Sequence, residues 1–445
     1  MNKTKRFCAI ALAAMTAATA LAACGAQPTT STPAASQGGS TTTTTESTGT
    51  TEVEDPLYGE GQNGEITLKV WGPDSAQAIL KTQCDEFIET MKPYAPNGIK
   101  IEVVPQGEDV AATQAQTDIS AAADVFGFAC DNIDGLEKAG ALLEVTGAEK
   151  DYVIANNSES SVAAATVNDK LMAYPETGDN SYVLIYDKTV VSDEQAKTLE
   201  GTLEACKAAN KKFVMDAGNG YYSCMFMFTG GVKINGLEDD GTQKFTEYDE
   251  AKAAKTVVAF QSLFAEYKDY FMSGDASKVV DGFTSGTVGA GIDGSWDFTA
   301  VKNALGDNAG FTILPTIKVG EENLPIINMF GYKLLGVNSH SQFPNTAIEL
   351  AKYLTNEKCQ QERAEQLNWG PSNKAVAASD VVKNDAALSA VLAQSANSVA
   401  QSGLAGTFWT PVGTLGSKIV DFDNMMDEAA ATELIKKTIA NVRDE

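Results

Sequence analysis

Ile66-Thr-Leu-Lys-Val-Trp71 opens a run, ending at Asp124-Val-Phe-Gly-Phe128, whose reading decides the fold class. The first six residues are alternating and β-branched, which predicts a strand. Gly72-Pro73-Asp74-Ser75 reads as a turn that caps a helix over Ala76–Met91, where Ile79, Leu80, Cys84, Phe87 and Ile88 recur at helical spacing. Ile99–Val104 is a second strand, and a helix near Thr113–Ala122 leads to a third at Asp124–Phe128. That strand feeds Cys130-Asp131-Asn132 and a helix over Ile133–Ala139. Strand and helix alternating in this order predict a parallel, doubly wound α/β sheet. Ligands of such sheets sit beyond the carboxyl ends of the strands, which puts Asp74, Phe128, Asp131 and Asn132 on one rim.

Further along, Lys170–Pro175 and Tyr182–Lys188 are strand-like pieces separated by Glu176–Ser181. A helix near Asp193–Asn210 and a strand Lys212–Met215 follow, the latter ending in Asp216-Ala-Gly-Asn-Gly-Tyr-Tyr222. Residues 247–271 carry a helical stripe of Val257, Phe260, Leu263, Phe264, Tyr267 and Phe271. These elements predict a second α/β lobe. Phe283–Pro315 adds a glycine-bearing strand over Thr287–Ile292, a helix near Trp296–Leu305 and an apolar strand. Asn328–Gly336 reads as a strand, Asn345–Leu367 as helix, and the last helical block as Gly416–Arg443.

The N-terminus reads differently. Lys3, Lys5 and Arg6 precede the apolar, small-residue run Ala9–Ala23, the pattern of a secretory signal too short to span a membrane. It ends in Leu21-Ala-Ala-Cys24-Gly25, which resembles a lipobox: cleavage before Cys24 and diacylation of that cysteine would hold the protein on a membrane. Residues 25–63 are rich in Thr, Ser, Pro and Gly, and predict a disordered tether. Five cysteines remain beyond Cys8 and Cys24, with irregular spacing and no CxxC, so they do not form a disulfide framework. The formal charge of −26 argues against a nucleic-acid partner.

Little in the chain suggests covalent chemistry. There is a single histidine, His340, in a serine loop, and no HExxH, GxSxG, P-loop or Cys/His metal cluster. Gly289, Gly291 and Gly294 fit GxGxxG, yet Asp293 would stand where a pyrophosphate should rest, so the glycines read as close backbone packing. No cofactor or metal is expected. Aromatic residues do fall beside small polar ones at strand ends: Trp296 with Asp297, Tyr221 and Tyr222 with Asn219, Trp409 with Thr407 and Thr410, Phe128 with Asp131. A sugar ring presents an apolar C–H face to such rings and an edge of hydroxyls to such polar groups. Each aromatic taken singly reads more readily as core than as a ligand platform.

Lys170-Leu-Met-Ala-Tyr-Pro, Tyr182-Val-Leu-Ile-Tyr-Asp-Lys, Gly291-Ile-Asp-Gly-Ser-Trp, Gly310-Phe-Thr-Ile-Leu-Pro-Thr and Asn368-Trp-Gly-Pro-Ser-Asn-Lys together resemble the extracellular solute-binding proteins of carbohydrate ABC transporters, above all their maltose/maltodextrin-binding members. The likeness runs from Ile66 to the C-terminus. It implies a type II periplasmic-binding-protein fold: two discontinuous α/β lobes joined by a hinge, 64–178 with 315–368 and 179–314 with 369–445, and a ligand cleft between them. It implies that Trp296 stacks on a sugar ring, that Tyr221, Tyr222, Trp409 and Asp131 line the cleft, and that the acidic position between crossing strands falls at Asp179 or Asn180. Where the family has a basic neighbour and an upstream stacking Trp, this chain has Asn132 and Phe128. The implied protein is a monomeric, lipid-anchored receptor on the outer face of the cell membrane. It would bind an oligosaccharide, most simply a malto-oligosaccharide, and deliver it to ABC permease subunits. A tethered glycan hydrolase and a receptor for another solute class are the competing readings.

Overall fold

The computed structural model describes residues 55–443; the signal sequence, Cys24 and most of the tether lie outside the described residues. The ordered chain begins earlier than Ile66. Leu57 is fully buried in the first core, and Glu60 sits at the start of helix Pro344–Leu354. There its two carboxylate oxygens accept from the Asn345 and Thr346 backbone N–H groups at 2.9 and 2.8 Å. A carboxylate satisfying orphan N–H groups at a helix start is a capping interaction, here made by a residue distant in sequence. Residues 55–63 therefore belong to the folded body and not to the tether.

Two sheets organise the rest. In the first, Ile66–Gly72 runs parallel to Ile99–Pro105 on one side and Val125–Ala129 on the other. Asn328–Val337 then pairs antiparallel with Val125–Ala129 and with Tyr174–Asn180, and its start pairs parallel with Ser398–Ala400. Helices Gln77–Met91, Glu108–Thr117, Ile133–Lys138 and Pro344–Leu354 bury their apolar faces on this sheet around Val70, Phe87, Phe126 and Leu350. The second sheet has the order Phe271–Ser273, Lys212–Met215, Val288–Gly294, Tyr182–Asp187, Ala309–Thr312. Helices Leu199–Ala208, Gly220–Thr229, Glu250–Glu266, Trp409–Ile419 and Glu428–Arg443 contribute to one core, and Ser277–Thr284, Phe298–Leu305 and Ala386–Gln394 to another.

The chain passes between the sheets at closely packed points. A single residue, Ser181, separates Tyr174–Asn180 of the first sheet from Tyr182–Asp187 of the second. It is fully buried; its hydroxyl donates to the Met329 carbonyl at 3.0 Å and accepts from the Asn328 amide at 2.9 Å. The Asn328 amide also donates to the Tyr182 carbonyl at 2.9 Å, so two crossings are pinned side by side. A short, hydrogen-bonded crossing of this kind is the geometry of a hinge.

Several boundaries differ from the sequence reading. Glu176–Ser181, left between two strand-like pieces by the sequence, is strand through Asn180, because residues 174–180 form a ladder with Asn328–Val337. Residues 315–327, assigned to the first lobe, form a hairpin whose Ile317, Val319 and Leu324 pack in the second core. Asn345–Leu367 is two helices, since the Asn356 side chain caps a new one by accepting from Cys359 N at 2.8 Å. The final block is likewise two helices, Trp409–Ile419 and Glu428–Arg443. Gly220–Thr229, of which the sequence reading placed only Gly220–Tyr222 at a strand end, is a helix buried almost all round, so it carries no polar face to reveal its period. The cysteines Cys84, Cys130, Cys206, Cys224 and Cys359 are buried and unpaired.

Candidate functional site

Three aromatic side chains far apart in sequence form one wall. Trp296 stands in a tight turn directly after strand Val288–Gly294, Tyr221 in the first turn of helix Gly220–Thr229, and Trp409 at the first residue of its helix. The Tyr221 ring lies 5.9 Å from Trp296 and 6.0 Å from Trp409, centroid to centroid. Gly220 makes the approach possible, because a Cβ there would fall 2.2 Å from the Trp409 carbonyl oxygen. Tyr182 backs the wall at 5.2 Å from Tyr221. Trp296 remains 36% exposed, which is high for so large an apolar ring and leaves a face free for a partner.

Across from this wall stands Asp131, on the turn that follows Val125–Ala129 of the first sheet. Gln401 donates to its Oδ1 at 3.2 Å, and the Trp409 indole N–H lies within hydrogen-bonding reach. Burial raises the Asp131 carboxyl to about 7, against the pull of these donors. The Asn180 amide donates to the Gln401 side-chain Oε1 at 2.6 Å, which links the hinge through the Gln401 side chain to Asp131. Asn132 donates to the Ala129 carbonyl and to Asp131 Oδ1, both at 3.3 Å, and so supports the turn.

Other expected contacts fall elsewhere. Phe128 is 0% exposed and packs on Phe126 with ring centroids 5.9 Å apart; as a core residue it offers a ligand no surface. Tyr222 is buried, with its hydroxyl donating to Asp293 at 3.2 Å. Asn219 is exposed, but its side chain caps the helix by accepting from Tyr221 N at 2.9 Å. Asp179 is 1% exposed and its carboxylate takes the Gly370 N–H at 2.6 Å, a hinge contact. Burial raises its carboxyl, partly offset by Lys333. Asp74 is exposed in the turn after Ile66–Gly72, on the predicted rim, without a contact to the aromatic wall. Asp297 is half-buried beside Trp296, whose indole N–H is within reach of its carboxylate.

The structure adds residues that the sequence did not single out. Lys333, on the central strand of the first sheet, pairs with Glu108 at 3.0 Å and lies 5.2 Å over the Trp369 ring. A lysine inside the apolar run Asn328–Val337 is the one signal that could have marked it. Ser295 ties the Trp296 turn to the hinge by donating to the Asp179 carbonyl at 2.9 Å. The glycines of the GxGxxG pattern serve packing: the Trp296 ring covers Gly294, where a Cβ would fall 2.2 Å from it. His340 is an exposed loop residue. A cavity of about 780 Å³ is lined by Phe330 and Tyr332 with Ser158, Ser160, Lys374 and Gln401, and so adjoins the Asp131 end of the site. Side chains alternate along a strand, so Lys333 and these two aromatics point to opposite sides.

The model of the bacterial extracellular solute-binding protein family matches residues 83–390. The galactooligosaccharide-binding protein of Bacillus subtilis (strain 168) is 29% identical over 294 residues, 62% of this chain and 68% of that one. A solved structure with acarbose matches with a TM-score of 0.76 and 27% identity, over 86% of this chain and 99% of that one. The maltodextrin-binding protein of L. casei BL23 matches with a TM-score of 0.72 and 22% identity, over 86% and 100%. These proteins share the type II fold of two α/β lobes around a cleft. With two sheets joined at a pinned crossing and a family match over most of the folded body, the chain belongs to the bacterial extracellular solute-binding proteins.

Proposed function

We propose that this protein captures an oligosaccharide in the cleft between its lobes and hands it to the permease of an ABC importer. The observation that carries the reading is the wall of Trp296, Tyr221 and Trp409 on one lobe facing Asp131 and Gln401 on the other. Rings take the apolar face of a pyranose, and a carboxylate and an amide take its hydroxyls. A ligand touching both lobes binds the closed arrangement better than the open one, and this differential affinity drives closure. Asp74, Asp131, Asn132 and Asn180 supply polar contacts from the first lobe and hinge, and Asp297 from the second. The lobe division follows the two sheets, and the protein works as a monomer held on the outer membrane face through lipidated Cys24.

Malto-oligosaccharides are the preferred ligand, in keeping with a neighbour solved with acarbose and a neighbour named as a maltodextrin-binding protein. Galactooligosaccharides are the second reading, favoured by the Bacillus subtilis relative. Hydrolysis is disfavoured by geometry. Asp293, one of the two carboxyls beside Trp296, is 0% exposed and its Oδ1 is taken up by the Gly294 N–H and the Tyr222 hydroxyl, so it cannot reach a glycosidic bond as one of the two carboxyls a glycosidase needs. Titration calorimetry with maltotriose, maltoheptaose, galactobiose and an amino-acid mixture tests the reading. Heat with one oligosaccharide class and intact sugar after long incubation is the expected result. Binding of the amino acids alone, or cleavage of the sugar, overturns it.

A further inference from the structure

Asp293, near the end of strand Val288–Gly294, is 0% exposed directly behind Trp296. Its Oδ1 is satisfied by the Gly294 N–H at 2.7 Å and the Tyr222 hydroxyl at 3.2 Å. Its Oδ2 is buried without a hydrogen-bond partner, and the carboxyl of Asp297 is the charged group that bears on it. Two acceptors meet in this way only with a proton between them. The surroundings supply no other remedy. Asp297 faces the site from its turn, Tyr222 from helix Gly220–Thr229, and the ladder partner on Tyr182–Asp187 is the apolar Val183. Among the described residues, no lysine or arginine forms an ion pair with either carboxylate. Burial first, then the second carboxyl, pushes Asp293 well above the usual carboxylate range, and burial raises Asp297 as well. Coupled carboxyls of this kind hold one proton and one charge between them.

We propose that the Asp293–Asp297 pair is a proton-sharing clamp that sets the Trp296 ring, so that oligosaccharide capture is coupled to one bound proton. The inference rests on Trp296 being the sugar platform. With the proton in place, the Asp297 carboxylate stays beside the Trp296 indole, and the ring lies over Gly294. Loss of the proton leaves two anions in contact. Asp297, the half-buried partner, then turns toward water and takes the acceptor of the indole with it. Asp293 is thus a positioning residue that acts through Asp297 on Trp296.

The ligand-free protein is tested first. Trp296 is one of four tryptophans, so its emission is read as the difference between the protein and W296F. The scan runs from about pH 5 to about pH 9, above the ordinary carboxylate range. The expected result is a transition in the unaltered protein that is absent in D293N, whose amide donates to Asp297 and accepts from Tyr222 at every pH. The same transition in D293N, or none in the unaltered protein, overturns the clamp. Should D293N fail to fold, D297N serves: it removes the second charge and must move the transition to lower pH, and an unmoved transition counts against the clamp. Calorimetry with maltotriose over the same range should show affinity weakening on the alkaline side by roughly fivefold or more beyond that of D293N, whose remaining pH dependence is that of Asp131. The same profile in both proteins refutes the coupling. No binding at any pH by the folded protein removes the platform reading instead, and the fluorescence arm still decides the clamp.

Discussion

Replacing Trp296 by alanine removes the most exposed ring of the aromatic wall, and its effect follows from surface area. The ring is 36% exposed, and a tryptophan side chain presents about 250 Å² at most, so about 90 Å² is open to a stacked sugar. At about 25 cal/mol per Å² of apolar surface removed from water, full coverage contributes about 2 kcal/mol. That corresponds to about 30-fold in Kd. The remainder of the ring packs on Gly294 and Tyr221, so W296A also loses some stability, and thermal unfolding must accompany the binding measurement. Calorimetry with maltotriose well below the melting transition is the assay. An affinity within about twofold of the unaltered protein, with the fold intact, would refute the stacking argument.

Asp131 titrates at about 7 in the folded protein against 3.8 for an ordinary aspartate, so its contribution is fully present below 3.8 and is lost as pH rises toward 7. Urea unfolding at both ends of that window should show a fall in stability that is smaller in D131N; equal falls would contradict the burial of this carboxyl. Glu60→Ala uncaps helix Pro344–Leu354 and should cost about 1–2 kcal/mol in thermal or urea unfolding, while an unchanged midpoint would return residues 55–63 to the tether. Lys333→Met leaves Glu108 buried and unpaired, at side-chain exposures of 11% and 19% for the two partners, and should cost roughly 3 kcal/mol. Adding Glu108→Gln should recover part of that loss; strict additivity would show that the two residues do not interact.

How much of this could be read from the chain depends on where burial leaves a pattern. The alternation of Ile66–Trp71 and the helical stripe of Ala76–Met91 announced the doubly wound first sheet, because one face of each is apolar. Helix Gly220–Thr229 escaped notice because it is apolar on every side, and that hid the site's backbone: Tyr221 and Tyr222 look like a loop pair until the helix turns one outward to the wall and the other toward Asp293. Phe128 beside Asp131 had the appearance of a ligand contact, but strand alternation sends its ring into the core. Gln401, Lys333 and Glu60 act through partners more than 200 residues away, at distances of 3.2, 3.0 and 2.9 Å, and no local pattern encodes such contacts. Trp296 was legible because an aromatic at a strand end beside an aspartate has no ready place in a sheet core. Asp293 was visible too, but its bond to Tyr222 needed the fold.

In the proposed complex one oligosaccharide is held between the aromatic wall and Asp131, and the structure of the protein with maltotriose bound decides it. The expected structure has a sugar ring stacked on Trp296 with hydroxyls reaching Asp131 from the same ligand molecule. A sugar bound away from Trp296, or one touching a single lobe, would contradict it.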